Sequence, residues 1–249
     1  MRRDKTLEDL WKGAPPESDV FDPGSIEHLP ATAQRYLRHA LAPGALLSTC
    51  VRIAMTGSIK LKPGWCQFEA EQVIRWDRGF VWAARARVNR LPVTGFDRLI
   101  DGRGEMRWKL LSLFPVMEAD GADIGRAAAG RLHAEAIWVP AVLLGPHVIW
   151  SESCPSHALA TIDAHGERSE LDIEINEEGA VLSCSLARWG DMDTGEFSYH
   201  PFGGTAGSER TFGGVTIPVQ HRVGWLFGTP RFEEEGEFFR CTIEAAEFL

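Results

Sequence analysis

The sequence predicts a mainly antiparallel β chain of the α+β class, with about ten strands, one internal helix and helices near the N-terminus. Three observations predict it. From residue 46 onward, apolar residues recur at every second position over most segments, the period of a strand with one buried face. The segments are joined by short turns rich in Gly, Asp and Pro, too short for the helical crossovers that parallel neighbours need. Apolar residues fall at helical spacing in only three places.

Residues 1–28 are polar and hold Pro15, Pro16, Pro23 and Gly24, so they read as an N-terminal extension with one short helix over 6–11. A second helix is predicted over 30–41. Pro30 suits a first helical turn, where its missing N–H has no partner to lose. Ala33, Tyr36, Leu37, Ala40 and Leu41 share a face, and Pro43-Gly44 ends the helix. Then the period becomes two: Leu47, Val51, Ile53, Met55, Ile59 and Leu61 alternate with polar residues in a long half-buried strand, closed by a turn at Pro63-Gly64.

The next hairpin can be registered. Segments 65–76 and 80–88 flank Asp77-Arg78-Gly79, a three-residue loop with Gly where a left-handed residue is favoured. Setting Trp76 opposite Phe80 places Ile74 beside Trp82, Gln72 beside Ala84 and Ala70 beside Ala86 on a mostly apolar face. The other face then sets Glu71 beside Arg85 and Glu69 beside Arg87, opposite-charge pairs worth about 0.2–1 kcal/mol each.

Strands follow over 95–100 and 105–113 around the turn Asp101-Gly102-Arg103-Gly104. The internal helix spans 123–138, with Asp123 as N-cap and Ile124, Ala128, Leu132, Glu135 and Val139 along one stripe; Pro140 interrupts it. Its early turns carry Gly125, Ala127, Ala128, Ala129 and Gly130, small residues that imply close backbone approach or space left for something else. Further strands are predicted over 147–152, 158–164, 167–175 and 180–189, followed by a glycine-rich loop over 202–214. Val215, Ile217, Val219, His221, Val223, Trp225 and Phe227 then share one face, and 237–247 supplies the last strand. Residues 29–249 read as a single domain, near the upper size for one hydrophobic core.

The formal net charge is −9, from 26 basic and 35 acidic side chains. Phosphate binding needs clustered Lys and Arg. Here the arginines are scattered and lysines are few, so neither nucleic acid nor an anionic membrane surface is an expected partner. The five cysteines are widely spaced without a C-x-x-C, which fits reduced thiols better than a disulfide framework. The N-terminal segment has basic residues but no apolar stretch of a secretory signal. The longest apolar run, 137–145, is about half of a membrane span. A cytoplasmic protein without an integral membrane segment is expected.

Gly102-Arg103-Gly104 lacks the third glycine and the strand–helix setting of a dinucleotide loop, and there is no Walker loop. The eight histidines are dispersed without H-E-x-x-H or H-x-H, and no G-x-S-x-G elbow occurs. No cofactor and no metal are expected. His221, on an otherwise apolar strand face, reads as a hydrogen-bonded core histidine, and Cys184 as a buried, inert thiol. Glu135 stands out because it projects from the apolar stripe of the internal helix. It is paired, solvated at the helix edge, or held in a pocket with a raised pKa; Arg131, one turn earlier, can satisfy it. The tryptophans, nine in all, fill a core or line a pocket.

A series of blocks runs in order along the chain: Leu29-Pro-Ala-Thr-Ala-Gln-Arg-Tyr-Leu37, Phe68-Glu-Ala-Glu-Gln72, Gly79-Phe-Val-Trp-Ala-Ala-Arg85, Asp101-Gly-Arg-Gly104, Ala134-Glu-Ala-Ile-Trp-Val-Pro140, Val148-Ile-Trp150 and Gly214-Val-Thr-Ile-Pro218. Together they resemble an uncharacterised bacterial family of about this length, from Leu29 to the C-terminus. The resemblance brings no activity with it. It implies a curved sheet, or half-barrel, with the helix near 123–138 in its concave side, similar to the lipoprotein-carrier half-barrels of the LolA type, which hold acyl chains.

On that architecture the leading expectation is a non-enzymatic binding protein for a hydrophobic or lipid-like small molecule, held between sheet and helix. Trp82, Trp138 and Trp150 line the cavity, with Glu135 and His133 as its polar groups. A second reading is an enzyme of unknown reaction on the same cavity, with Glu135 as general acid or base and Arg85 or His133 nearby. A third is a partner-binding module with a filled core and an exposed apolar patch.

Overall fold

The computed structural model describes residues 5–61, 64–152, 154–192 and 195–249; the turn expected at Pro63 lies outside them. Thirteen strands form one antiparallel sheet, strongly curled into a half-barrel, where about ten were expected. The first six make a meander: β1 (Cys50–Leu61), β2 (Gly64–Arg75), β3 (Gly79–Val88), β4 (Leu91–Ile100), β5 (Arg103–Leu110) and β6 (Phe114–Gly121). A second meander holds β7 (Val148–Ser151), β8 (His157–Ala164), β9 (Glu167–Ile175), β10 (Val181–Gly190) and β11 (Ser198–Ala206). β12 (Glu209–Phe212) and β13 (Val215–Pro218) pair with each other in a separate two-stranded sheet, and Val215 also bridges to Leu41. β14 (Gln220–Trp225) and β15 (Glu237–Phe248) join the meanders: β15 pairs with β1 and β14, and β14 with β11.

The chain leaves the edge strand β6 as α3 (Ala122–Ala134), which crosses the concave face and touches both β5 and β10, then enters the opposite edge at β7. The concave face holds the main core. Ile53, Ile74 and Phe80 from the first meander meet Ile162, Leu171 and Ile173 from the second, with Tyr36 and Leu37 of α2 (Ala31–Ala40) and Leu132 of α3. Each such side chain contributes about 1.5–3 kcal/mol by leaving water. On the convex face, α1 (Lys5–Lys12) sets Leu7 and Leu10 on Cys50, Val73 and Val81. Among the described residues no helix is long and apolar enough to cross a membrane. All five cysteines are free thiols.

Several expectations are corrected. The β2–β3 hairpin keeps its predicted faces, but its register moves by two residues: Gln72 faces Trp82, Ile74 faces Phe80 and Glu69 faces Arg85. The cause is Trp76, which leaves the strand. Its N–H bonds to the Thr49 carbonyl and its side chain is buried in the core, so Arg75 and Gly79 close the turn instead. Glu71 pairs with Arg52, not Arg85.

β6 was not anticipated. It is an edge strand whose Phe114, Val116 and Met117 are all exposed, so it has no buried alternation to read. The glycine-rich stretch expected as a loop contains most of β11 and all of β12. A Cβ on Gly203 would lie 2.3 Å from the Cys184 carbonyl oxygen, and one on Gly204 2.3 Å from that of Arg222. Glycine here permits close strand approach rather than a bend. The strand expected over 215–227 breaks at Val219, whose N–H bonds to Ser208 while its carbonyl accepts from Ile243. The helix expected to reach Trp138 ends at Ala134 and tightens into 3₁₀ turns at Glu135–Trp138 and Pro140–Leu144. Pro140 has no N–H to continue an α-helix, and helix ends commonly tighten this way. Gly121, not Asp123, is the N-cap; Asp123 accepts the Trp189 indole N–H at 2.8 Å.

Candidate functional site

The concave face and α3 enclose a cavity of about 360 Å³. Its wall is mostly apolar: Trp82, Ile137, Trp138, Phe202, Trp225 and Phe239 come from β3, the turn after α3, β11, β14 and β15. The lining runs outward to Ile59, Asp191 and Phe197, at the end of the sheet where β1, β10 and β14 stop. Two surface clefts are larger, about 480 and 870 Å³. The first is walled largely by Gln34, Arg35, Arg38 and His39, and the second by the charged and glycine residues of the β4–β5 turn. Neither offers an aromatic wall.

One side of the cavity carries a polar layer built on Arg131. The 131/135 spacing puts both side chains on one face of α3, one turn apart. Arg131 Nε donates to Glu135 Oε1 at 2.7 Å and Nη1 to Asp97 Oδ2 at 3.2 Å. Gln72, wholly buried on β2, donates its amide to Glu135 Oε2 at 2.5 Å. The Trp108 indole N–H donates to Asp97 Oδ1 at 2.9 Å. The guanidinium lies over Phe80 and Trp82, 4.7 and 5.2 Å from their ring centroids. Burial opposes the charge on Arg131, but the Glu135 and Asp97 carboxylates outweigh it and raise its pKa. Burial pushes the Asp97 carboxyl upward, against the pull of Arg131.

Across the cavity, Arg188 projects inward from β10. Its Nε donates to the Ala127 carbonyl at 3.0 Å, and its guanidinium lies over Phe202 and Trp225 at 4.5 and 5.1 Å. Trp138 donates its indole N–H to Nε2 of the buried His221 at 2.9 Å. Burial lowers the His221 pKa to about 4, so the ring is neutral, and the same Nε2 also lies 3.0 Å from the Pro218 carbonyl oxygen. Cys184 also borders the cavity; burial pushes its thiol up to about 12.

Of the residues expected at a site, Trp82, Glu135 and Trp138 stand together on this cavity. His133 and Trp150 do not. His133 is two residues from Arg131 and Glu135, hence on the far side of α3, where Nδ1 lies 2.9 Å from Ser169 Oγ. Trp150 is on the edge strand β7, donating its indole N–H to the Leu143 carbonyl and packing on Tyr36. Arg85 is exposed on the convex side, out of reach of Glu135. Gln72, Asp97 and Arg188 went unnoticed in the sequence. Arg188 left a signal: it follows Cys184 and Leu186 at strand spacing, a cation in phase with an inward face. The small residues of α3 divide. Ala127 borders the cavity, whereas Ala128 packs on the core and Gly125 lets the Gly102 carbonyl approach.

A family of unknown function matches this chain over residues 27–248. The chain belongs to that family, DUF6920. No curated protein matches it. Among solved structures, the chain is similar to a LolA superfamily protein from Nitrosomonas europaea, at 7% identity over 88% of this chain and 92% of that one, with a TM-score of 0.44. It is also similar to a domain described as an outer membrane lipoprotein-sorting protein domain from Vibrio parahaemolyticus, at 7% identity over 87% and 93%, with a TM-score of 0.41.

Proposed function

We propose that this chain binds a hydrophobic small molecule in the cavity between the curved sheet and α3, with Trp82, Trp138 and Glu135 among the lining groups. The observation that carries the reading is the combination of volume and wall. About 360 Å³ is within the range of small-molecule sites, and such sites pair an aromatic wall with a few placed polar groups, as here. The lining reaches Ile59, Asp191 and Phe197 where β1, β10 and β14 stop, which gives a ligand a way in without breaking a strand pair. Both oxygens of Glu135 are taken by Arg131 and Gln72, an arrangement that favours a structural polar layer over proton transfer. Five free thiols support a reducing, cytoplasmic setting.

The test uses N-phenyl-1-naphthylamine, an uncharged apolar fluorophore. Delipidated protein is expected to bind it saturably at one site, with hexadecan-1-ol as a competitor, and native mass spectrometry of freshly purified protein to show a bound small molecule. Absence of saturable binding together with a single ligand-free mass would sink the proposal.

A further inference from the structure

We propose that the cavity is built for an amphipathic anion, a long-chain carboxylic acid whose head group pairs with Arg188; this rests on the binding reading above. Five charged side chains border the cavity, and three of them satisfy one another: Arg131 is held by Glu135 and Asp97. Asp191, at the outer end, accepts from the Gly195 N–H at 3.0 Å. Arg188 is the fifth. Among the described residues no carboxylate comes within ion-pairing distance of it, and its one hydrogen bond, from Nε to Ala127, leaves the two terminal nitrogens without a protein acceptor. A guanidinium presents those nitrogens as a fork that matches a carboxylate.

The side chain is held in place for this. Its stem runs against α3 at Gly130, where a Cβ would stand 3.1 Å from Arg188 Cγ. The rings of Phe202 and Trp225 lie beneath the guanidinium plane and fix its orientation while leaving the rim of the fork unpaired. An arginine so placed costs desolvation without a carboxylate paired directly to it. Burial lowers the Arg188 pKa to about 9, with Arg131 adding to the effect and the more distant Glu135 and Asp97 opposing it. The apolar wall beyond Arg188, made by Phe238, Phe239, Val223 and Ile59, then receives the chain.

The experiment is displacement of N-phenyl-1-naphthylamine from the unmodified, delipidated protein by hexadecanoate, hexadecan-1-ol and hexadecyl phosphate. A charge-assisted pair adds about 1.5–3 kcal/mol, so hexadecanoate should displace at a concentration about 10–100-fold lower than the alcohol. Arg188→Gln should bring acid and alcohol within about threefold of each other, through loss of acid affinity alone, and Arg188→Lys should restore part of the preference. Equal displacement by acid and alcohol overturns the assignment of Arg188 while leaving the cavity reading intact. Tighter displacement by hexadecyl phosphate than by hexadecanoate overturns the carboxylate in favour of a phosphate head. No binding of either the fluorophore or the alcohol defeats the cavity reading itself. The ligand series runs on the unmodified protein, so a poorly folded Arg188 variant leaves the comparison decisive.

Discussion

Replacing Ala127 by Phe separates an open cavity from a filled core. Ala127 borders a space of about 360 Å³. A cavity of about 150 Å³ accommodates a benzene ring, so a phenyl group fits here without moving the wall. Phe has a lower helix propensity than Ala by roughly 0.5 kcal/mol, and the apolar surface the ring buries offsets this. The net change expected is within about 1 kcal/mol, or ~2–4 °C in Tm for a chain of this size. Ala129, two residues on, is fully buried in the core, where Phe overpacks at a cost of about 1–3 kcal/mol or more. Thermal unfolding followed by circular dichroism, with fluorophore uptake measured in parallel, distinguishes the sites. Ala127→Phe should melt within a few degrees of the parent and lose uptake, while Ala129→Phe should melt well below it. Equal, large destabilisation by both substitutions would refute the open cavity.

Two further predictions concern charge and thiols. Glu237 is buried and accepts from Arg222 and Arg240 at 2.8 and 2.7 Å, which holds its pKa at about 2, below the ordinary 4.5. Its stabilisation is complete above pH 4.5 and is lost as pH falls toward 2, so Glu237→Gln should cost about 2 kcal/mol at pH 7 and almost nothing near pH 2 in urea titrations. A pH-independent cost would contradict the pairing. Cys154 is exposed, and hydrogen bonds from Ser156 lower its pKa, whereas burial pushes Cys50, Cys184 and Cys241 up to about 12. Maleimide should therefore label one thiol quickly in the native protein and all five after unfolding without reductant. A fast phase surviving Cys154→Ser, or fewer than five thiols, would be the contrary result.

Legibility in the sequence followed burial. β9 runs over 167–175 as read, because Leu171, Ile173 and Ile175 alternate with wet residues and both ends are marked by turns. The faces of the β2–β3 hairpin were readable because parity survives a two-residue shift. Its register was not, because nothing local says that Trp76 prefers the core to the ladder. β6 escaped because an exposed edge has no apolar phase, and β11 because its glycines answer to neighbouring backbones distant in sequence. The same divide runs through the site. Arg131–Glu135 lies one helical turn apart and could be anticipated. Gln72 and Asp97 join them through the registers of two successive hairpins, each meeting Trp82, and Arg188 comes from the second meander, brought opposite only by the curl of the sheet.

β15 lies in the middle of the sheet although it is the last strand in chain order. During synthesis both meanders leave the ribosome before the strand that unites them. At typical elongation rates β1 waits on the order of ten seconds or more for its partner. Through that interval β1 presents a bare ladder edge, joined near its end by that of β14, the kind of surface on which chains associate wrongly. The strand able to occupy that gap is carried by every copy of the protein. A β15 from one molecule can seat between β1 and β14 of another, making all the hydrogen bonds of the native seam. Crowded expression is therefore expected to yield an exchanged dimer, and slower, more dilute synthesis to favour the monomer.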